Sequence, residues 1–154
     1  MKSSVLFLDL DGVISTDFKS FNPDCVIALK KILDETNAII VISSCWRKGF
    51  IDWSIEPHRL VESKDVLKVL GRWFEDCGLP SQRLIDVTPI DISGYRGTEI
   101  SQWLAAHSRV QNFIILDDDS DMEPHRDRLI QTDGSKGLTL ENADEAIKLL
   151  NKIS

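Results

Sequence analysis

The residues best suited to chemistry in this sequence stand directly after apolar runs. Asp9 follows Val5-Leu6-Phe7-Leu8, with Asp11 two positions on. Ser43-Ser44 follows Ala38-Ile39-Ile40-Val41-Ile42, and Asp117-Asp118-Asp119-Ser120-Asp121 follows Phe113-Ile114-Ile115-Leu116. Arg96 lies just before a helical periodicity that starts near Thr98. A carboxylate at the end of a buried strand is poorly placed unless hydrogen bonds or a cation compensate it. Carboxylates gathered from two strands repel one another unless a hard cation sits between them. Oxygen ligands with no accompanying His or Cys point to Mg²⁺ rather than Zn²⁺. Singly, each piece has an ordinary reading: Asp-Gly as a turn, Ser-Ser as a loop start, the acidic run as a solvated loop. It is their joint occurrence, each at the end of an apolar run, that makes a site of them.

The elements that must position these groups alternate along the chain. Val5–Leu8 reads as a strand buried on both faces. Asn22-Pro23 opens a helix with Asn as cap and Pro at the first helical position; Val26, Leu29, Ile32 and Leu33 form its apolar face and Asn37 can close it. Ala38–Ile42 is the second strand. An irregular stretch is expected from Cys45 to about Val61, then a helix over 63–77 with Val66, Leu67, Leu70, Trp73 and Phe74 inward and Gly78 at its end. A short strand is expected at Leu84-Ile85. A helix over 99–107 has Ile100, Trp103 and Leu104 on one face, and a strand follows over 113–116. Leu129-Ile130 is a minor strand, and Ala143, Ala146, Ile147 and Leu150 mark a last helix. Strands separated by helices imply an α/β fold with a mainly parallel sheet covered on both faces. Ligands of such sheets bind outside the carboxyl ends of the strands, so the groups above converge on one edge.

At 154 residues and 42% hydrophobic content, the chain is expected to be a single domain over 1–154 with one core. No stretch approaches the ~20 apolar residues that span a bilayer, and the run before Asp9 is too short for a signal-peptide core, so no membrane is expected. Cys25, Cys45 and Cys77 show neither zinc-ligand spacing nor the even count of a disulfide framework, which fits reduced thiols and a cytoplasmic protein. The net charge of −7 gives no bulk attraction for nucleic acid.

Asp9-Leu10-Asp11-Gly12-Val13 matches in full the first motif of the haloacid dehalogenase-like (HAD) phosphohydrolase superfamily, and the whole arrangement resembles it. That superfamily has four motifs in the order found here: Asp-x-Asp-Gly-Val, then a Ser or Thr after an apolar strand (Ser43), a Lys or Arg before a helix (Arg96), and an acidic pair after a strand (Asp117 and Asp118). The Ser43-Ser44-Cys45-Trp46-Arg47 stretch and the Gly137-Leu138-Thr139 tail resemble a small branch that includes phosphatase domains associated with RNA repair proteins. The resemblance implies a Rossmann-like three-layer sandwich without a large cap domain. It implies Mg²⁺ as cofactor, Asp9 as nucleophile forming an aspartyl-phosphate, and Asp11 as acid and then base. It further implies Mg²⁺ held by Asp9, the Asp11 main-chain carbonyl, Asp117 and Asp118, and phosphate contacts from Ser43, Ser44, Arg96 and Arg47. Arg72, Arg83 and Lys64 compete for the third motif, and Asp121 for the fourth.

The superfamily's caps select small substrates, but only the ten residues 13–22 separate Gly12 from Pro23. An open site suits a phosphorylated macromolecule as partner, and the RNA-repair resemblance favours a nucleic-acid end. Trp46, Arg47, Lys48, Phe50 and Trp53 can be read as a base-stacking, backbone-holding strip, or simply as aromatics packed on the sheet beside solvated cations. His58, His107 and His125 are scattered and given no catalytic role. The rival reading is a receiver-like or catalytically silent phosphate-binding signalling module on the same fold. In a receiver the acidic pair stands at the first strand and the phosphoacceptor Asp on a later one, which reverses the order seen here.

Overall fold

In the computed structural model of the chain, residues 3–152 are described; Met1, Lys2, Ile153 and Ser154 lie outside them. Strand β1 (Ser3–Leu8) carries apolar side chains on both faces and is the middle strand of a sheet ordered β5-β2-β1-β6-β7. Its neighbours are β2 (Ile39–Ile42) and β6 (Val110–Asp117); β5 (Leu84–Val87) and β7 (Leu129–Gln131) form the edges. Every pairing in this sheet is parallel. Parallel strands need crossovers: α1 (Pro23–Glu35), α2 (Val66–Asp76) and α3 (Arg96–Ala105) lie in the first three, the β6–β7 crossover holds only a 3₁₀ turn over Arg126–Arg128, and α4 (Leu140–Leu150) follows the last strand.

The period-2 alternation of the strands sorts the core into two layers. Leu6, Leu8, Ile40, Ile42, Ile114 and Leu116 face α1, α2 and α4. Val5, Phe7, Val41 and Ile115 face Ile100 and Trp103 of α3. The three-layer sandwich is therefore lopsided, with three helices on one face and one on the other. This two-sided burial explains why β1, β2 and β6 read as unbroken apolar runs.

Helix ends follow local chemistry. Asn22 caps α1, its side chain accepting from the Asp24 N–H at 2.9 Å, with Pro23 at the first position. Thr139 and Asn142 form a reciprocal capping box on α4. The C-cap of α1 is Thr36 rather than Asn37, because the Thr36 hydroxyl donates back to the Ile32 carbonyl.

The stretch expected to be irregular after Cys45 is instead a short 3₁₀ turn over Cys45–Lys48 and an antiparallel hairpin of β3 (Gly49–Asp52) and β4 (Arg59–Glu62). These strands are only four residues long and largely solvent-facing, so they lack the apolar run that marks the main sheet. The hairpin is fixed by aromatics: Trp46 lies 4.8 Å from Phe50 and 5.9 Å from Trp73, and Phe21 lies 5.3 Å from Trp73. No cap domain is present among the described residues. No helix among them is long and apolar enough to cross a membrane.

Candidate active site

The sheet's hydrogen-bond ladder runs one residue past the strands and brings distant residues to one edge. The Asp9 N–H donates to Leu116 O (3.0 Å), Ser43 N–H to Leu8 O (2.9 Å), Thr88 N–H to Ile42 O (2.9 Å) and Thr132 N–H to Asp117 O (3.0 Å). Asp9, Ser43 and Asp117 thus stand side by side at the carboxyl edge. Carboxylate oxygens of Asp9, Asp117 and Asp118 all lie within 4.8 Å of one another.

Arg96, the first residue of α3, reaches into this group. Its Nη1 donates to Asp117 Oδ2 at 2.9 Å and to the Ser43 carbonyl oxygen, and lies 3.6 Å from Asp9 Oδ1. Its Nη2 meets only Cys45 Sγ, at 3.9 Å. Three carboxylates against one guanidinium leave the edge electron-rich. The donors are all oxygen, so the residues present fit a hard divalent cation.

Burial and proximity show in the acidities. Burial first, then the charge of Asp117, push the Asp9 carboxyl up to about 9, with Arg96 opposing. Burial likewise raises Asp117 to about 6, again against Arg96. Burial also raises Asp11, opposed by the Trp46 indole. Burial works against the Arg96 charge, but Asp117 and Asp9 more than offset it and its acidity is weakened.

A pH dependence follows for the protein stripped of divalent metal. Between the ordinary carboxylate value of 3.8 and about 9, folded Asp9 holds a proton that the unfolded chain has released, so stability falls as pH rises. Asp117 contributes in the same direction up to about 6. His125, lowered by burial, works the opposite way below its ordinary 6.5. Above about pH 7 the decline therefore belongs mainly to Asp9, with any part that Asp11 adds and, toward about pH 8.5, a smaller part from the Cys25 and Cys77 thiols, which burial also raises. Thermal midpoints in EDTA should drop from about pH 7 to about pH 8.5, and excess Mg²⁺ should reduce the drop. A flat or rising midpoint in EDTA would contradict the assignment.

Asp11 and Ser43 carry a different mark. Asp11 Oδ1 and Ser43 Oγ are buried side-chain oxygens without a hydrogen-bond partner. Buried polar atoms are seldom left so, and a ligand at this edge would satisfy both. Asp11 is held in a tight turn in which the N–H groups of Val13, Ile14 and Ser15 donate to the Leu10 carbonyl. Gly12 adopts φ +79°, and a Cβ there would stand 2.5 Å from Asp118 Cγ. The glycine of the motif is thus required both by backbone conformation and by the closeness of Asp118.

Two residues expected at the phosphate are engaged elsewhere. Arg47 is 4% exposed and ion-pairs with buried Glu99 at 2.7 Å. Its other donors go to the carbonyl oxygens of Ser44 (2.8 Å), Thr88 (3.1 Å) and Pro89 (3.4 Å). Four of its five N–H groups are engaged in this way, and the buried side chain ties the loop after β2 to α3 instead of facing a phosphate. Ser44 Oγ accepts the Trp46 N–H at 3.2 Å and caps the 3₁₀ turn.

The alternatives for the third motif also fall away from the site. Arg83 donates to the carbonyl oxygens of Ala38, Leu33 and Thr36, at the far end of β2. Lys64 is exposed beside Glu62, and Arg72 lines a hollow under the hairpin. Asp121, the fourth-motif alternative, is not one of the three carboxylates that meet at the edge but stays beside it at the start of α3, its Oδ2 accepting the Arg96 N–H at 3.4 Å and its main-chain oxygen the Gly97 N–H at 3.0 Å. Of the aromatic strip, Trp46 is buried while Trp53 stays 44% exposed with the Lys19 ammonium 5.2 Å from its ring. His58, His107 and His125 pack or bond at Trp53, Trp103 and Ser101, outside the site. A cavity of about 380 Å³ opens near Asn112, Arg128 and Lys152 toward the amino end of β6, with the Arg128 guanidinium already bonded to Asn112 and the Phe113 carbonyl.

Carried on the middle strand of a parallel sheet, an Asp-x-Asp-Gly-Val turn facing an acidic pair defines a hydrolase of the HAD type. The likeness extends to one branch of that superfamily: residues 5–143 match the family described as the HAD domain in Swiss Army Knife RNA repair proteins, and the chain belongs to it. No curated protein and no solved structure matches the chain.

Proposed function

We propose that the protein is a Mg²⁺-dependent phosphomonoesterase that forms an aspartyl-phosphate on Asp9 and acts on a phosphate borne by a macromolecule, a polynucleotide end above all. The observation that carries this reading is the pair of unpartnered buried oxygens, Asp11 Oδ1 and Ser43 Oγ, at the edge where Asp9, Asp117 and Asp118 meet. A nucleophile, an acid, a phosphate donor and a cation site are then all in one place.

Asp9 Oδ1 accepts the Leu10 N–H at 2.9 Å and faces Arg96, which leaves Oδ2 to attack phosphorus. The new Oδ2–P bond forms as the bond from phosphorus to the leaving alcohol breaks, and Asp11 gives its proton to the departing oxygen. Asp11, now a carboxylate, takes a proton from the water that attacks phosphorus, and Asp9 is released with inorganic phosphate. Burial favours this cycle by keeping the Asp11 carboxyl protonated beyond the usual range. Ser43 Oγ and Arg96 Nη2, whose one other contact is the distant Cys45 Sγ, donate to phosphoryl oxygens. Mg²⁺, held by Asp9, Asp117, Asp118 and the Asp11 carbonyl, would keep Asp9 ionised and shield it from the anionic substrate.

The macromolecular substrate is supported by the absence of a cap among the described residues and by the family match to RNA repair proteins. The test is phosphate release with Mg²⁺ from 3′- and 5′-phosphorylated oligonucleotides, nucleoside monophosphates, sugar phosphates and phosphopeptides. The expected result is fastest turnover of an oligonucleotide end, abolished by EDTA. Preference for a sugar phosphate or a nucleoside monophosphate would overturn the macromolecular substrate, and preference for a phosphopeptide would overturn the polynucleotide end. No turnover of any of them would leave the silent-module reading.

A further inference from the structure

Behind Asp118 lies a loop that the mechanism does not use. After β7 the chain runs Thr132-Asp133-Gly134-Ser135-Lys136-Gly137-Leu138 and folds back across the turn that carries Asp11. Buried Thr132 joins two parts of the site: its N–H donates to Asp117 O at 3.0 Å, and its Oγ1 donates to Gly12 O at 2.7 Å. The Gln131 side chain donates to Asp118 O at 3.0 Å. The loop's far end is fixed by the Leu138 N–H on Val13 O at 2.7 Å and by burial of the Leu138 side chain. Between these anchors Gly134 lies against the Asp118 carboxylate; a Cβ on it would stand 2.7 Å from Oδ2 and 3.6 Å from Cγ. Gly12 lies against the same carboxylate.

We infer that Thr132 and Gly134 are positioning residues for the cation site: Thr132 clamps the Asp9–Gly12 turn to the strand that ends in Asp117, and Gly134 forms the wall against which the Asp118 carboxylate is aimed. The inference rests on the proposal that Asp9, Asp117 and Asp118 hold Mg²⁺. Gly134 has no left-handed backbone that would reserve the position for glycine. A methyl group there meets the mobile end of one side chain rather than backbone, so the fold should tolerate Gly134→Ala while the carboxylate is turned aside.

The experiment is Mg²⁺ titration of the full chain by isothermal calorimetry, with thermal midpoints measured in EDTA and in Mg²⁺. Gly134→Ala is expected to weaken Mg²⁺ binding by about 10–100-fold, the scale for groups that orient a ligand. Its midpoint in EDTA should match wild type and its Mg²⁺-induced rise should shrink. Thr132→Val should also weaken binding, and Thr132→Ser, which keeps the hydroxyl, should restore it. Mg²⁺ binding by Gly134→Ala and Thr132→Val equal to wild type would overturn the inference while leaving the cation site standing. A wild-type chain that binds no Mg²⁺ would remove the cation site and this inference together.

Discussion

Asp9→Asn is expected to lower phosphate release on the order of 10⁴–10⁶-fold, the scale on which enzymes lose rate when their nucleophile is removed. Asn has nearly the shape of Asp and can still accept the Leu10 N–H that now goes to Asp9 Oδ1. Its amide cannot form the covalent intermediate, so oligonucleotide and small aryl phosphates should fail alike. The same substitution removes a buried carboxyl that must give up its proton as pH rises toward about 9. In EDTA above about pH 7, the variant should therefore melt no lower than wild type. Inactivity thus comes without unfolding, and steady-state assay with a melting curve on the same sample checks both halves. Equal phosphate release by the two proteins would remove Asp9 from the chemistry.

The second large effect concerns stability. Arg47 and Glu99 have side chains 2% exposed each, and Glu99 also accepts the Asp91 N–H at 2.9 Å. Removing one partner leaves the other charge buried without compensation, which costs about 3–5 kcal/mol. Glu99→Gln and Arg47→Met should each lose that much stability in urea unfolding. The double variant, Arg47→Met with Glu99→Leu, should recover much of the loss, because no lone charge remains. Activity of the single variants should fall on every substrate together, since the pair ties the Ser43–Ser44 loop to the helix that carries Arg96. A phosphate-binding Arg47 would instead raise KM with the urea midpoint unchanged.

These two cases mark where the sequence is legible. Asp9, Ser43 and Asp117 are visible because β1, β2 and β6 are buried on both faces, so unbroken apolar runs end sharply where the chain leaves the sheet. Parallel topology then decides that all three ends share an edge. Arg96 is found because a helical periodicity starting near Thr98 puts it at the same edge; α3 itself begins at Arg96. Arg47 reads as a phosphate ligand because its neighbours suggest a basic aromatic strip. Its true partner, Glu99, lies on a helix beyond β5, and no local periodicity encodes that pairing. The β3–β4 hairpin is hidden because short solvent-facing strands leave no apolar signature, and its anchoring to α2 is made by aromatics distant in sequence. Thr132 and Gly134 follow the minor strand that Leu129-Ile130 marks, but three residues at the sheet's edge give no long apolar run whose sharp end would flag them. The signal that could have found them is a threonine and a glycine directly after a strand end, at the edge where the ligand sits.

The central step of the proposed cycle is a phosphoryl group carried by Asp9. It is tested most directly by acid quench of the enzyme during turnover of its best substrate with Mg²⁺, followed by peptide mass mapping. The prediction is a phosphoryl adduct on the peptide containing Asp9, lost under mild base and absent from Asp9→Asn. Sustained turnover with the Asp9 peptide unmodified at every quench time, or with the adduct on another residue, would contradict it.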